Sequence, residues 1–211
     1  ATPAQVDTVA AEFVNAGPFC VLNLANGHPI IIETNTLQME EEGAHYRPAE
    51  IFKTAGRWDT VKPGEKVEVP GTLAASIRDR LAGILLSQSV DILDRHIGTP
   101  EDLDLGCRIA FAFRKGPLEL MRDLGTTECT RILKQLQQER PGMPTPKQDR
   151  AAYQAFHRFV LVDDVDAGDG RVVKVITLRR PEALNAIHDE MTGEILAVIR
   201  KFEQAPGVAG F

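Results

Sequence analysis

Two stretches of this chain follow one plan, and that limits its fold more than any other feature. "TPAQVDTVAAEFVNAGPFCVLNLANG" runs from Thr2 to Gly27, and "TPEDLDLGCRIAFAFRKGPLELMRDLG" from Thr99 to Gly125. Each opens Thr-Pro-x-x-x-Asp, reaches a Gly-Pro pair, then enters an apolar segment ending in glycine. The threonines are 97 residues apart and the Gly-Pro pairs 99 apart, so one copy carries a two-residue insertion. Threonine at an N-cap accepts a bond from an otherwise unpaired amide. Proline at the next position lacks an amide hydrogen where none is needed. Gln5 and Asp102 stand at the capping-box position, where Asp fits less well than Gln. Gly-Pro then starts a second helix, which Gly27 or Gly125 ends. Any two capped helical hairpins can share some of this, but the order and spacing favour an internal repeat.

The second copy has a prelude. Leu73, Ile77, Leu81, Ile84, Leu85, Ile92 and Leu93 recur at helical spacing, predicting a helix from about Leu73 to Arg95. No such stretch precedes Thr2. The chain therefore reads as an internal fragment of a longer protein.

Composition narrows the partners. Net charge is -6 over 211 residues, and no stripe of Lys and Arg points to nucleic acid. No apolar run approaches the ~18 residues a membrane span requires, and the first residues lack the pattern of a signal peptide. Cys20, Cys107 and Cys129 form no C-x-x-C, which fits a reducing cytoplasm and neither a disulfide scaffold nor a zinc site. Between the copies, "HPIIIETNTLQMEEEGAHYRP" reads as a short strand or helix and then an acidic loop. Glu40, Glu41, Glu42 and His45 have no ligand spacing and read as a solvated charge run, not a metal site. "TTECTRILKQLQQE" reads as a helix, "RPGMPTPK" as a proline-rich linker, and "QDRAAYQAFHR" as one more helix.

The tail changes character. "FVLVDDVDAGDGRVVKVITL" holds two β-branched runs around an Asp/Gly turn, a hairpin signal. Counted from Asp164, the turn lacks the Gly and Glu of an EF-hand loop, and "GDG" precedes a strand, unlike a dinucleotide fingerprint. Met191, Ile195, Val198, Ile199 and Phe202 give an apolar helical face between His188 and Gln204.

The hairpin and the following "ITLRRPEALNAIHDEM" resemble the N-terminus of the enoyl-CoA hydratase/isomerase (crotonase) family. Arg180, Pro181, Ala183, Leu184, Asn185 and Ala186 carry the resemblance, with Ile187 where Leu is common. It implies Ala183 and Leu184 as contacts for the CoA part of a substrate, although packing residues would look the same. The amides and glutamates of that family's chemistry lie further downstream, and Glu190 and Glu194 read here as solvated surface.

"RDRLAGILLSQSVDILDRHIGTPEDLDLGCRIAFAFRKGPLELMRDLG" (Arg78 to Gly125) resembles the C-terminal helical domain of 3-hydroxyacyl-CoA dehydrogenases. The resemblance implies dimerisation and closure over an acyl-CoA, with NAD held by a separate nucleotide-binding domain. That domain also carries the catalytic His and Glu. The family's Asn in an Asn-Arg-Leu triplet is replaced by Asp79, which cannot donate an amide's hydrogen bonds. Phe113-Arg114-Lys115 also departs from the usual Tyr-Pro-Met.

The expected fold is mainly α. It is a helical domain like the C-terminal domain of 6-phosphogluconate dehydrogenase, with an internal repeat, followed by a hairpin and helix that begin a crotonase fold. Its parts are a partial first repeat with connector (1–70), a full second repeat (71–145), a linker (146–158) and a truncated crotonase start (159–211). The expected parent is a β-oxidation enzyme that joins an NAD-dependent 3-hydroxyacyl-CoA dehydrogenase to an enoyl-CoA hydratase, and fusion raises the intermediate's local concentration. The fragment itself is expected to hold no cofactor, metal or catalytic residue, to act as a dimerising or substrate-closing scaffold, and to be cytoplasmic. A helical interaction module without catalytic history, or a fusion acting on another CoA thioester such as an aromatic-degradation intermediate, are the alternatives.

Overall fold

A computed structural model describes residues 1–26 and 28–211. The chain divides into two compact units, Ala1–Gln154 and Ala155–Phe211. The first is helical: α1 (Pro3–Ala10), α2 (Pro18–Ala25), α3 (His28–Glu42), α4 (Ile51–Thr54), α5 (Gly71–Asp94), α6 (Pro100–Ala110), α7 (Pro117–Glu139) and α8 (Arg150–Tyr153).

The caps form where the sequence places them, with one difference. At α1, the Thr2 hydroxyl accepts from Gln5 N, and Gln5 Oε1 accepts in return from Thr2 N at 2.9 Å. At α6, Thr99 accepts from Asp102 N at 3.1 Å, and the shorter Asp102 carboxylate takes the Thr99 hydroxyl at 3.0 Å. Asn26 closes α2 in the left-handed conformation, a role its short amide side chain tolerates. The expectation for Gly27 lies outside the described residues. Gly125 interrupts α7 at φ 79°, so α7 is two helices meeting at a glycine.

The core of this unit lies between α5 and α7. Leu86 and Val90 of α5 and Leu118 of α7 are almost wholly inaccessible. Each contributes about 1.5–3 kcal/mol through burial. Gly83 permits the close crossing, since a Cβ there would stand 3.3 Å from Ile132 Cγ2 and 3.4 Å from Leu136 Cβ. The long helix begins two residues earlier than its apolar period suggests, at Gly71. The segment read as a short element and an acidic loop is instead the fifteen-residue α3, with Glu40–Glu42 as its last turn. Its apolar residues fall on all sides, and none is buried, so its period gives no clear face to read. In "QDRAAYQAFHR" only Arg150–Tyr153 is helical.

The second unit is a sheet covered by one helix. β1 (Val160–Gly168) and β2 (Arg171–Leu178) pair antiparallel, Val162 opposite Ile176 and Asp164 opposite Lys174. Gly168, Asp169 and Gly170 turn the chain with φ of 82°, 54° and 72°. β3 (Val208–Gly210) adds parallel to β2. Alternation sends Val160, Val162, Ile176 and Leu178 to one face, where Met191, Ile195, Val198 and Phe202 of α9 (Asp189–Phe202) cover them. Lys174 shares that face: it pairs with Asp164 at 2.6 Å and lies 4.3 Å from the centre of the Phe202 ring.

Glu194 corrects its reading as solvated surface. Its carboxylate accepts from Arg158 N and Phe159 N, both at 2.7 Å. These amides precede β1, where no ladder partner is on hand, and a carboxylate satisfies them. Among the described residues, no helix is long and apolar enough to cross a membrane.

Candidate functional site

The two helical hairpins are built around two aspartates. Asp7 of α1 is buried and accepts from Phe19 N at 2.9 Å and Cys20 N at 2.7 Å, at the start of α2. Asp104 of α6 is buried and accepts from Leu118 N at 2.7 Å and Glu119 N at 3.0 Å, at the start of α7. The first amides of a helix have no partner within it and carry its positive end, so a carboxylate there is favoured. Asp7 also accepts from the Thr60 hydroxyl. The hairpins meet directly. Val14 and Phe113 form an antiparallel bridge, Arg114 N donates to Phe13 O, and Arg114 Nε donates to Ala11 O, both at 2.8 Å. Sequence reasoning noted the shared aspartates without giving them a role, and read Arg114 only as divergence. The common Thr-to-Asp spacing was the available signal.

Asp79 lies beside this junction. It lines a cleft of about 300 Å³ whose floor includes Ala82, Leu85, Leu120 and Ile132. Its carboxylate pairs with Arg131 at 2.8 Å. Arg131 also pairs with Glu128 at 2.6 Å, and these two carboxylates, Glu128 first, raise its pKa. Arg78 grips Glu12 through two bonds of 2.6 Å, which hold the Glu12 carboxyl below its ordinary range against the opposing effect of burial. Lys115 pairs with Asp123 at 2.5 Å.

Every carboxylate and every cation lining the cleft thus has an opposite charge beside it. No serine, cysteine or histidine is among its lining residues. The arrangement offers apolar surface and fixed charge, but no activated nucleophile and no free general base. Asp79 accepts where an asparagine would also donate, and Arg131 occupies it.

Ala183 and Leu184 lie in the second unit, in and just after a 3-10 turn at Pro181–Ala183. Asn185 ties this loop: its Oδ1 accepts from Arg180 N at 2.7 Å, and its own N donates to Arg180 O at 2.9 Å. Ala183 N and Leu184 N donate to Arg180 O and Pro181 O. Leu184 is in the left-handed region at φ 52° with its side chain 94% exposed, and Ile187 is 66% exposed. Leu184 is therefore presented at the surface of the second unit, with Ala183 half-buried beside it.

Glu40, Glu41, Glu42 and His45 do not assemble. Glu42 pairs with Arg95 at 2.8 Å, and the His45 ring lies against Tyr46. Among the described residues, no group of three or more potential ligands could hold a metal.

A helical unit built from two carboxylate-anchored hairpins and a long central helix defines the first unit. Residues 77–164 match the family model described as 3-hydroxyacyl-CoA dehydrogenase, C-terminal domain, a match that takes in α5 from Ile77 onward, the whole of α6, α7 and α8, and the first part of β1. The match implies a dehydrogenase-type function. That family is NAD-dependent, but its C-terminal domain is not the part that binds NAD. No curated protein and no solved structure matches the chain significantly.

Proposed function

We propose that these residues are the helical, non-catalytic part of a multifunctional fatty-acyl-CoA enzyme working in the cytoplasm. Its parent oxidises a 3-hydroxyacyl-CoA with NAD bound to another domain, and its fused crotonase-type domain hydrates an enoyl-CoA. The helical part dimerises the enzyme or closes over the acyl-CoA. Ala183 and Leu184 contact the CoA portion at the fused domain.

One observation carries the dehydrogenase part of the reading, the family match over residues 77–164, and the crotonase part rests on the likeness of residues 180–186 alone. The cleft beside Asp79 supports the non-catalytic part, because its charges are paired and it lacks a nucleophile. The exposed, internally bonded loop around Leu184 supports a surface contact in the second unit.

Two assays test it. The 211-residue chain should neither form NADH from 3-hydroxyacyl-CoA and NAD nor hydrate crotonyl-CoA, and turnover of either kind overturns the scaffold reading. The parent polypeptide should do both. Failure to form NADH removes the dehydrogenase assignment, and failure to hydrate removes the crotonase one.

A further inference from the structure

A second cleft, remote in character from the paired charges around Asp79, lies in the same helical unit. It has a volume of about 790 Å³ and is lined by Asn35, Gln38, His45, Arg47, Gln88 and Arg140, among others. That volume suits a small organic ligand, for which pockets run from about 300 to 1,000 Å³. Its polar groups come from α3, the 3-10 turn at Ala44–Tyr46, α5 and the end of α7.

Its guanidiniums set it apart. In the first cleft each cation has a carboxylate partner. Here neither Arg47 nor Arg140 forms an ion pair with any described residue. Arg140 is half-buried and spends one nitrogen on His45 O, and its remaining donors are uncommitted. Burial, and then the nearby Arg80, press its pKa down, and its carbonyl partner at His45 brings no opposite charge. A half-buried charge with no carboxylate beside it favours an arriving anion, and Arg47, which is exposed, is free to turn toward the same anion. The acid in the cleft, Glu50, is taken by Lys53 at 2.9 Å. Gln88 Nε2 donates to the Tyr46 hydroxyl at 2.8 Å and fixes that ring. His45 lies against Tyr46 with ring centres 4.3 Å apart and planes tilted by 45°, and Phe52 adds an aromatic wall. Gly142, at φ +103°, lets the chain after Arg140 pass against the His45 ring, since a Cβ there would stand 2.6 Å from Nδ1.

We propose that this cleft binds a small organic phosphate ester, with the phosphate on Arg140 and Arg47 and the organic part against His45 and Phe52. A guanidinium presents paired donors that match a phosphate in a bidentate way. The flanking aromatic faces suit a heterocyclic group. The inference stands apart from the dehydrogenase reading, since no catalytic activity enters its test.

The test is titration calorimetry of the whole chain with AMP, inorganic phosphate and adenosine, with amide chemical shifts to locate binding. AMP should bind saturably, shift the amides of His45, Tyr46 and Gln88, and be displaced by inorganic phosphate. Arg47→Ala should weaken AMP binding about tenfold with an unchanged melting temperature, as expected for one charged hydrogen-bonding partner. Arg140→Lys, which keeps the charge but loses the fork, should weaken it by a similar factor. Absence of saturable binding at millimolar AMP overturns the proposal. So does adenosine binding as tightly as AMP, failure of phosphate to compete, or wild-type affinity in both variants.

Discussion

The carboxylate of Asp104 fills the space that a side chain on Gly116 would need: a Cβ there would stand 2.2 Å from the carboxyl carbon. Asp7 and Gly17 stand in the same relation, at 2.4 Å. The glycine of each Gly-Pro pair is thus required by contact with the buried acid, not by backbone angle, since Gly17 and Gly116 have ordinary extended φ of -69° and -65°. Gly116→Ala should destabilise the helical unit by about 1–3 kcal/mol, the usual result of overpacking. Asp104→Ala should cost about 2–4 kcal/mol, because two buried amides lose a charged acceptor. Urea denaturation midpoints check both. A G116A midpoint equal to wild type would show that the acid can step aside.

Gly106 provides the opposite case. It is inside α6, and a Cβ there would meet nothing within 4 Å. Gly106→Ala should stabilise by about 0.4–1 kcal/mol through reduced freedom of the unfolded chain. Thermal melting of this variant beside G116A gives opposite signs for the same chemical change.

Asp94 and Tyr153 tie the segment after the proline run back to the end of α5. The Tyr153 hydroxyl donates to Asp94 at 2.8 Å and accepts from Lys147 N and Gln148 N at 3.0 and 3.1 Å. Burial pushes the Asp94 carboxyl up, but bonds from Gln148, Lys147 N and Tyr153 outweigh it and the net direction is down. A depressed pKa in the folded state gives stability that is present above the unfolded carboxylate value and is lost as pH falls through the folded one. Acid should therefore loosen residues 147–153 only below the ordinary carboxylate range. Hydrogen exchange of the Lys147 and Gln148 amides should accelerate there. Tyr153→Phe should accelerate it already at neutral pH and cost about 1–2 kcal/mol.

In the second unit, Glu194→Ala should free the Arg158 and Phe159 amides and lower stability by about 2 kcal/mol, as for charged hydrogen bonds. Glu194→Gln keeps one acceptor and should lose about half as much. Denaturation followed by β1 amide signals separates these values. Asp79→Asn, by contrast, removes an ion pair whose Arg131 end is open to solvent, and should change stability by about 1 kcal/mol or less.

The α9 helix was legible because its burial follows a single period, whereas the extent of α5 was legible but its buried side was not: Ala82, Gly83, Leu86, Ser87, Ser89 and Val90 are buried, and most of the leucines and isoleucines whose spacing announced the helix are only half-buried. The hairpin was legible because Asp169 sits between two glycines that turn easily, with β-branched runs on either side. The α3 helix was harder, because its isoleucines are spread around the axis and none is buried. The cleft near Asp79 could not be read from the chain, because Glu12 and Arg78 are joined across a separation of 66 residues. No local rule links residues so far apart. The role of Asp104 was half legible: its position was visible in the shared motif, but its partners at Leu118 and Glu119 required the hairpin to close.

The bridge between Val14 and Phe113 has a kinetic consequence. Helices α5, α6 and α7 follow one another closely and can associate through nearby contacts, and α1 and α2 find partners at Trp58, Thr60 and Val67, but the junction between the two hairpins joins residues almost a hundred apart. Closing so long a loop is entropically unfavourable before its contacts form. Within the helical unit, contacts near in sequence are therefore expected to form before the Val14–Phe113 bridge.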